Sequence, residues 1–218
     1  YVKMDFMTHG AMEADKWYNP EIQTGMISTL FKSFKLTIAF SLLFSICYIF
    51  VLWIFAQVAG PNKGNAEVLE LDGKVVGAAS VGQNFTEDIY FWGRPSCAGD
   101  GYDASSSAGS NKGPSNEEYL SEVKARIDTF LVHHPYLTRE EVPAEMVTAS
   151  ASGLDPDISP KAAYAQVQRV AQARGLSPES VMALVSSHTE GPLLGLFGPE
   201  KVNVLKLNIA LEKAEKNK

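Results

Sequence analysis

The chain has 218 residues, 45% of them apolar and 20% charged, with 19 Lys and Arg against 25 Asp and Glu and a formal net charge of -6. That is about one and a half ordinary ~150-residue domains. The acidic balance and dispersed basic residues lack the electrostatic footprint of a nucleic-acid-binding protein, and two cysteines, Cys47 and Cys97, make no disulfide framework and read as free thiols.

Charge is distributed unevenly. Residues 1–35 hold four Lys against four acids, Leu36 through Asn62 hold no charged side chain, and the remainder holds 15 basic against 21 acidic residues. Residues 1–35 read as a neutral leader, with 1–25 an extension to which no fold is assigned. Residues 36–58 are apolar on every face, and at ~1.5 Å per residue they cover a ~30 Å hydrocarbon core. A buried core helix is rarely apolar all round. A secretory h-region runs only ~7–15 residues before a small-residue cleavage site, and Ala59-Gly60-Pro61-Asn62 offers none. A transmembrane helix is the expectation. Lys32 and Lys35 abut its N-terminal edge, a slight bias that places the N-terminus in the cytoplasm and the following domain outside. Ser41 and Ser45, at i and i+4, offer a packing stripe to another span.

A linker, 59–66, leads to a domain over 67–218. Two apolar-rich runs flank Asp72-Gly73, the dipeptide of a type I′ turn, so a β-hairpin is expected over 67–77. Residues 93–116 are too rich in Gly and Ser for a core element and form a long loop. Ser115 caps a helix with Tyr119, Leu120, Val123, Ile127, Phe130 and Leu131 at three-or-four spacing, ending before Pro135. Ser159-Pro160 opens a second, with Ala163, Tyr164, Val167, Val170 and Ala171 inward and Gly175 beyond its end. Ser177-Pro178 opens a third, with Val181, Leu184 and Val185 inward. Residues 202–211 fit strand or helix, and Val204, Leu207 and Leu211 favour helix. The fold class is an α+β extracytoplasmic domain anchored by a single N-terminal transmembrane helix.

Chemistry is sparse. Gly109-Ser-Asn-Lys-Gly-Pro-Ser115 has the residue types of a phosphate-binding P-loop in the wrong order, no nucleophile elbow occurs, and no zinc spacing is present, so neither a catalytic nor a metal site is assigned. His133-His134 closes a predicted helix, where a cation complements the helix dipole, and this outweighs metal ligation. Asp155-Pro156-Asp157 reads as turn and cap chemistry ahead of an acid–base pair. The acids Glu117, Glu118 and Glu122 are expected to concentrate monovalent cations at the surface.

Six strings stand apart from generic core: Gly77-Ala-Ala-Ser-Val-Gly-Gln-Asn-Phe-Thr86, Gly93-Arg-Pro-Ser96, Val147-Thr-Ala-Ser-Ala-Ser-Gly-Leu-Asp155, Ile158-Ser-Pro160, Arg169-Val-Ala-Gln-Ala-Arg-Gly-Leu-Ser177 and Val202-Asn-Val-Leu-Lys-Leu-Asn-Ile-Ala-Leu211. On these the chain, from about residue 36 to Leu211, resembles the KdpC family of the Kdp potassium-transporting P-type ATPases. The first 25 residues and Asp157 depart from that pattern.

The resemblance implies an accessory, non-catalytic subunit of a high-affinity ATP-driven potassium uptake pump in the bacterial plasma (inner) membrane. Its partners are then a channel-like potassium-selecting subunit, a P-type ATP-hydrolysing subunit and a small single-span subunit. This chain carries no Asp-Lys-Thr-Gly phosphorylation motif of its own. The resemblance also implies a catalytic chaperone that raises the pump subunit's ATP affinity. Gln83 would contact nucleotide in a transient complex, and no cofactor would be bound covalently. Gly82, Asn84, Phe85, Gly93, Arg94, Pro95, Ser96, Thr148, Ser150, Ser152, Gly153 and Asp155 are motif positions to which it attaches no role. A direct contact between Gln83 and ATP conflicts with an extracytoplasmic domain. An alternative of another class is a stand-alone membrane-anchored protein whose 93–116 loop holds a small ligand.

Overall fold

The computed structural model describes residues 20–216, in two units that divide after Asn65 and are taken separately. In the first, α1 (Pro20–Leu42) runs through a π-helical turn (Leu43–Tyr48) into α2 (Ile49–Ala59). The run Gly25–Ala59 is long and apolar enough to cross a membrane, and none of its most apolar stretch is buried within the chain. The helix thus continues well ahead of Leu36, taking in residues 20–35 of the segment read as a leader; residues 1–19 lie outside the described residues. Hydroxyls on this apolar rod bond back into it, Thr29 Oγ1 to the Gly25 carbonyl and Thr37 Oγ1 to that of Ser33, each at 2.9 Å.

The second unit is an α+β domain. Strands β1 (Val68–Leu71) and β2 (Lys74–Ala78) form the expected hairpin, and Asp72 and Gly73 both take positive φ, 53° and 74°, as a type I′ turn requires. The register slips between Leu69 and Glu70, which face Gly77 and Val75, so Val76 is the extra residue of a bulge. The long irregular stretch begins earlier than the composition suggests: no helix or strand occurs from 79 to 116.

Helix α3 (Glu117–His133) is capped by Asn116, whose Oδ1 accepts the Tyr119 amide at 2.9 Å, one residue later than the expected Ser115. Both residues suit a cap, and the Tyr119 amide selects the one three positions before it. Two 3₁₀ turns, Arg139–Glu141 and Ala144–Met146, lead to β3 (Asp157–Ile158). Helices α4 (Pro160–Arg174) and α5 (Pro178–Ser187) start at the Ser-Pro pairs, with Ser159 and Ser177 capping. Ala163, Val167, Val170, Ala171, Val181 and Val185 point inward as expected, whereas Tyr164 is 43% exposed. After β4 (Thr189–Glu190), the C-terminal stretch is both alternatives in turn: β5 (Lys201–Asn203) and then α6 (Val204–Lys216). β5 lies between β3 and β4, antiparallel to each. Its Val202, with Leu207 and Leu211 of α6, is fully buried.

Candidate functional site

Residues 79–116 stay ordered without a backbone ladder because polar side chains of α4 and α6 replace one. Asn208 on α6 accepts the Phe91 amide at 2.8 Å and donates to the Phe91 carbonyl at 3.0 Å. Gln166 on α4 treats Trp92 alike, accepting at 2.8 Å and donating at 3.2 Å. One turn on, Arg169 donates to the carbonyls of Asp88 (2.7 Å) and Tyr90 (3.0 Å), and its guanidinium lies 4.2 Å from the Trp92 ring centroid. Arg174 donates to the Ile89 carbonyl and pairs with Glu212 and Glu215, all at 2.6 Å. Asn203, beside β3, donates to the Ala79 carbonyl at 2.7 Å. A buried amide spanning one backbone N–H and C=O leaves neither unpaired.

Arg169 also donates through Nε to Nε2 of the buried His134 at 2.9 Å, while His134 Nδ1 meets the Phe130 carbonyl at 2.7 Å. The imidazole is thus a neutral acceptor toward the arginine; burial, with the positive charge of Arg169 adding to it, lowers its pKa to about 4. The helix-end reading therefore fails for His134, which is no cation at the dipole. His133 is the exposed member and pairs with Asp88 at 2.8 Å.

The motif strings converge on a second cluster. Arg94 pairs with Asp155 at 3.0 Å, and Asp155 also accepts the Asp157 amide at 3.2 Å. Ser96 Oγ donates to the Gly153 carbonyl at 2.6 Å and accepts the amides of Ala98 (3.1 Å) and Tyr102 (2.8 Å). The Pro95 carbonyl accepts the Ser150 amide, and Ser150 Oγ accepts the Gly153 amide. Gly82 donates to the Leu154 carbonyl at 2.9 Å, and Ser152 Oγ accepts the Leu154 amide at 3.1 Å. Tyr102 Oη donates to the Arg94 carbonyl across Gly93, and burial, with Asp155 nearby, pushes the phenol up to about 12. Thr148 lies apart, bonding back to the Ala144 carbonyl. Gln83 is half-buried and donates to the carbonyl of Val76, the bulge residue, at 2.8 Å.

Asn84, Phe85, Gly93 and Arg94, together with Arg126 and Phe130 of α3, line a cleft of about 570 Å³. Arg94 Nε is buried and has no partner among the described residues. Two of the three acids expected to attract cations are ion-paired: Lys112 reaches Glu118 at 2.9 Å and Glu122 at 3.2 Å, and Arg126 reaches Glu122 at 3.4 Å. In the first unit, Ser41 and Ser45 share a shallow groove with Thr37, Phe40 and Phe44, and Ser45 lies in the π-helical turn.

A family model described as K+-transporting ATPase, c chain, matches residues 30–213. The chain is 76% identical over 184 residues to a potassium-transporting ATPase KdpC subunit of Phocaeicola vulgatus, covering 84% of this chain and 97% of that one. It is 74% identical over 186 residues to one of Bacteroides thetaiotaomicron, covering 85% and 98%. One of Caldanaerobacter subterraneus subsp. tengcongensis is 45% identical over 188 residues, covering 86% and 96%. A match that takes in the apolar helix, both polar clusters and α6 leaves one assignment: the chain belongs to the KdpC family of K+-transporting ATPase chains.

Proposed function

We propose that this chain is a non-catalytic accessory subunit that holds an ATP-driven potassium uptake pump together. In this reading its apolar helix lies among the spans of a channel-like potassium-selecting subunit, a P-type ATP-hydrolysing subunit and a small single-span subunit. Its α+β domain lies outside the cytoplasm. One observation carries the reading: Gly25–Ala59 offers an apolar surface whose most apolar stretch is not buried by any of the described residues. Lipid and neighbouring spans are what cover such a surface.

Co-purification in mild detergent tests it. The unmodified chain retains the large polytopic subunits, whereas Ser41→Leu with Ser45→Leu, which fills the groove around Thr37 and Phe44, lowers their recovery about tenfold. Isolation of the unmodified chain alone overturns the reading and supports the ligand-binding alternative, for which the 570 Å³ cleft is of suitable size. Sidedness is read with a membrane-impermeant thiol reagent on Cys97 in a Cys47→Ser background. Labelling in spheroplasts exceeds that in inverted vesicles, and the opposite ratio moves the domain to the cytoplasm.

The rise in the pump's ATP affinity, in this proposal, is transmitted by docking. Its support is that the Gln83 amide nitrogen is engaged by the hairpin at 2.8 Å. Gln83→Ala then weakens the domain by about 1 kcal/mol, the usual net value of such a bond, and leaves the assembled pump's KM for ATP within twofold. A severalfold higher KM at unchanged Tm assigns the nucleotide contact to Gln83 instead.

A further inference from the structure

The hairpin joining β4 to β5 ends in Pro192-Leu-Leu-Gly-Leu-Phe-Gly-Pro199, and four large apolar side chains stand in solvent there: Leu193 is 70% exposed, Leu194 81%, Leu196 80% and Phe197 63%. This is no loose loop. Leu193 and Phe197 exchange both backbone bonds, at 2.8 and 3.0 Å, and Gly195 donates to the Pro192 carbonyl at 2.9 Å. Leu194 and Gly195 both take left-handed φ, 55° and 72°. Leucine rarely adopts that conformation, so the fold sustains strain to present this side chain. The stem is equally fixed, since Val202 on β5 pairs with Thr189 of β4 and is fully buried.

Area and charge select the occupant. The four side chains present on the order of 500 Å², the size of the largest apolar patch on an ordinary monomer. That is less than the ~800 Å² per partner of a stable pair, so the tip alone makes no stable pair with any protein, a second copy included, and serves a complex that other surfaces also hold. Between Thr189 and Glu200 there is no Lys, Arg, Trp or Tyr. The nearest cation, Lys201, is held by Asp157 at 2.9 Å, with Glu190 at 3.7 Å. Lipid-surface anchors combine apolar residues with basic ones and with Trp or Tyr, and this tip instead adjoins Glu200, which has no ion pair among the described residues, while Glu190 is held by Lys201 at 3.7 Å and Lys206 at 3.8 Å. We propose that the Leu193–Phe197 tip is a docking knob that enters an apolar pocket with a basic rim on another protein subunit of the K+-transporting ATPase. This rests on the reading above that the chain works within such a complex.

The test uses the co-expressed complex with the full chain. Leu194→Glu with Leu196→Glu alters only exposed side chains, so the Tm of the purified chain in detergent is unchanged, while recovery of the other subunits falls at least tenfold. A photo-crosslinking residue at position 196 is expected to form an adduct with another subunit. An adduct with lipid, with a second copy of this chain, or with nothing overturns the proposal, as does full recovery of the complex by the double variant. If the unmodified chain itself brings down no partner, the accessory-subunit reading has failed as well. If the unmodified and doubly substituted chains recover partners equally, the knob alone has failed.

Discussion

Arg169→Met is expected to weaken the domain by about 3–5 kcal/mol, the range for removing one member of a buried charged network, and to lower the Tm by roughly 10 °C. Methionine fills much of the volume but returns none of the bonds. The carbonyls of Asp88 and Tyr90, Nε2 of His134 and one partner of Gln166 Oε1 lose their donor together, and the Trp92 ring loses its cation. Arg169→Lys fares little better, because one ammonium cannot span three directions as the planar guanidinium does. A Tm within 2 °C of the parent for Arg169→Met would show that the arginine does not clamp residues 88–92.

The same network sets a pH dependence. His134 has a folded pKa of about 4, below its ordinary 6.5, because burial disfavours the cation. Its contribution is therefore complete above about pH 6.5 and is lost as the pH falls toward 4, since the unfolded chain takes up the proton first. By pH 5 this amounts to about 2 kcal/mol relative to pH 7. His134→Gln starts less stable and lacks this slope between pH 7 and 5; parallel Tm profiles for the two proteins would contradict the assignment.

Local chemistry made the elements legible and distant chemistry hid the site. Asp72-Gly73, Ser159-Pro160 and Ser177-Pro178 act within three or four residues of themselves, so the hairpin and the starts of α4 and α5 follow from the sequence. Residues 79–116 take their order from partners such as Asn208, 117 positions from Phe91, and no local pattern announces such a pairing. Gln166 and Arg169 belong to the buried face of α4, yet their polarity assigns them to its solvent side. The signal was available: both occur at helical spacing among Ala163, Val167 and Val170. The family strings marked Arg94, Ser96, Gly153 and Asp155 without a purpose for them, and the structure supplies one, because they bind the 93–102 and 150–155 segments to each other. The apolar tip at Leu193–Phe197 is not legible in the sequence, because a Leu-rich run between glycines has the composition of core and only its exposure distinguishes it.

Gly82→Ala tests whether that convergence of strings is a rigid joint. A methyl at position 82 would lie 2.4 Å from the Asp155 carbonyl oxygen, 2.9 Å from its carbon and 2.8 Å from the Tyr102 ring. Backbone on one side and a half-buried phenol, tied to the Arg94 carbonyl, on the other leave it little room. Relief requires residues 81–83 to draw away from 154–155, which breaks the Gly82 amide bond to Leu154 and loosens Asp155 against Arg94. The loss is about 3 kcal/mol, the scale of an overpacked core, or ~6–12 °C in Tm. Gly113→Ala in the same irregular stretch is the control: the added methyl has no atom within 4 Å, so its effect stays within about 0.5 kcal/mol. Because Gly82 adjoins Gln83, the joint also governs how the hairpin is held. Gly82→Ala therefore raises hydrogen exchange at the amides of 81–83 and 153–155 together, while exchange in α5 stays at the parent rate. A stable Gly82→Ala protein with parent-like exchange at both segments would show that the two strings meet without depending on each other.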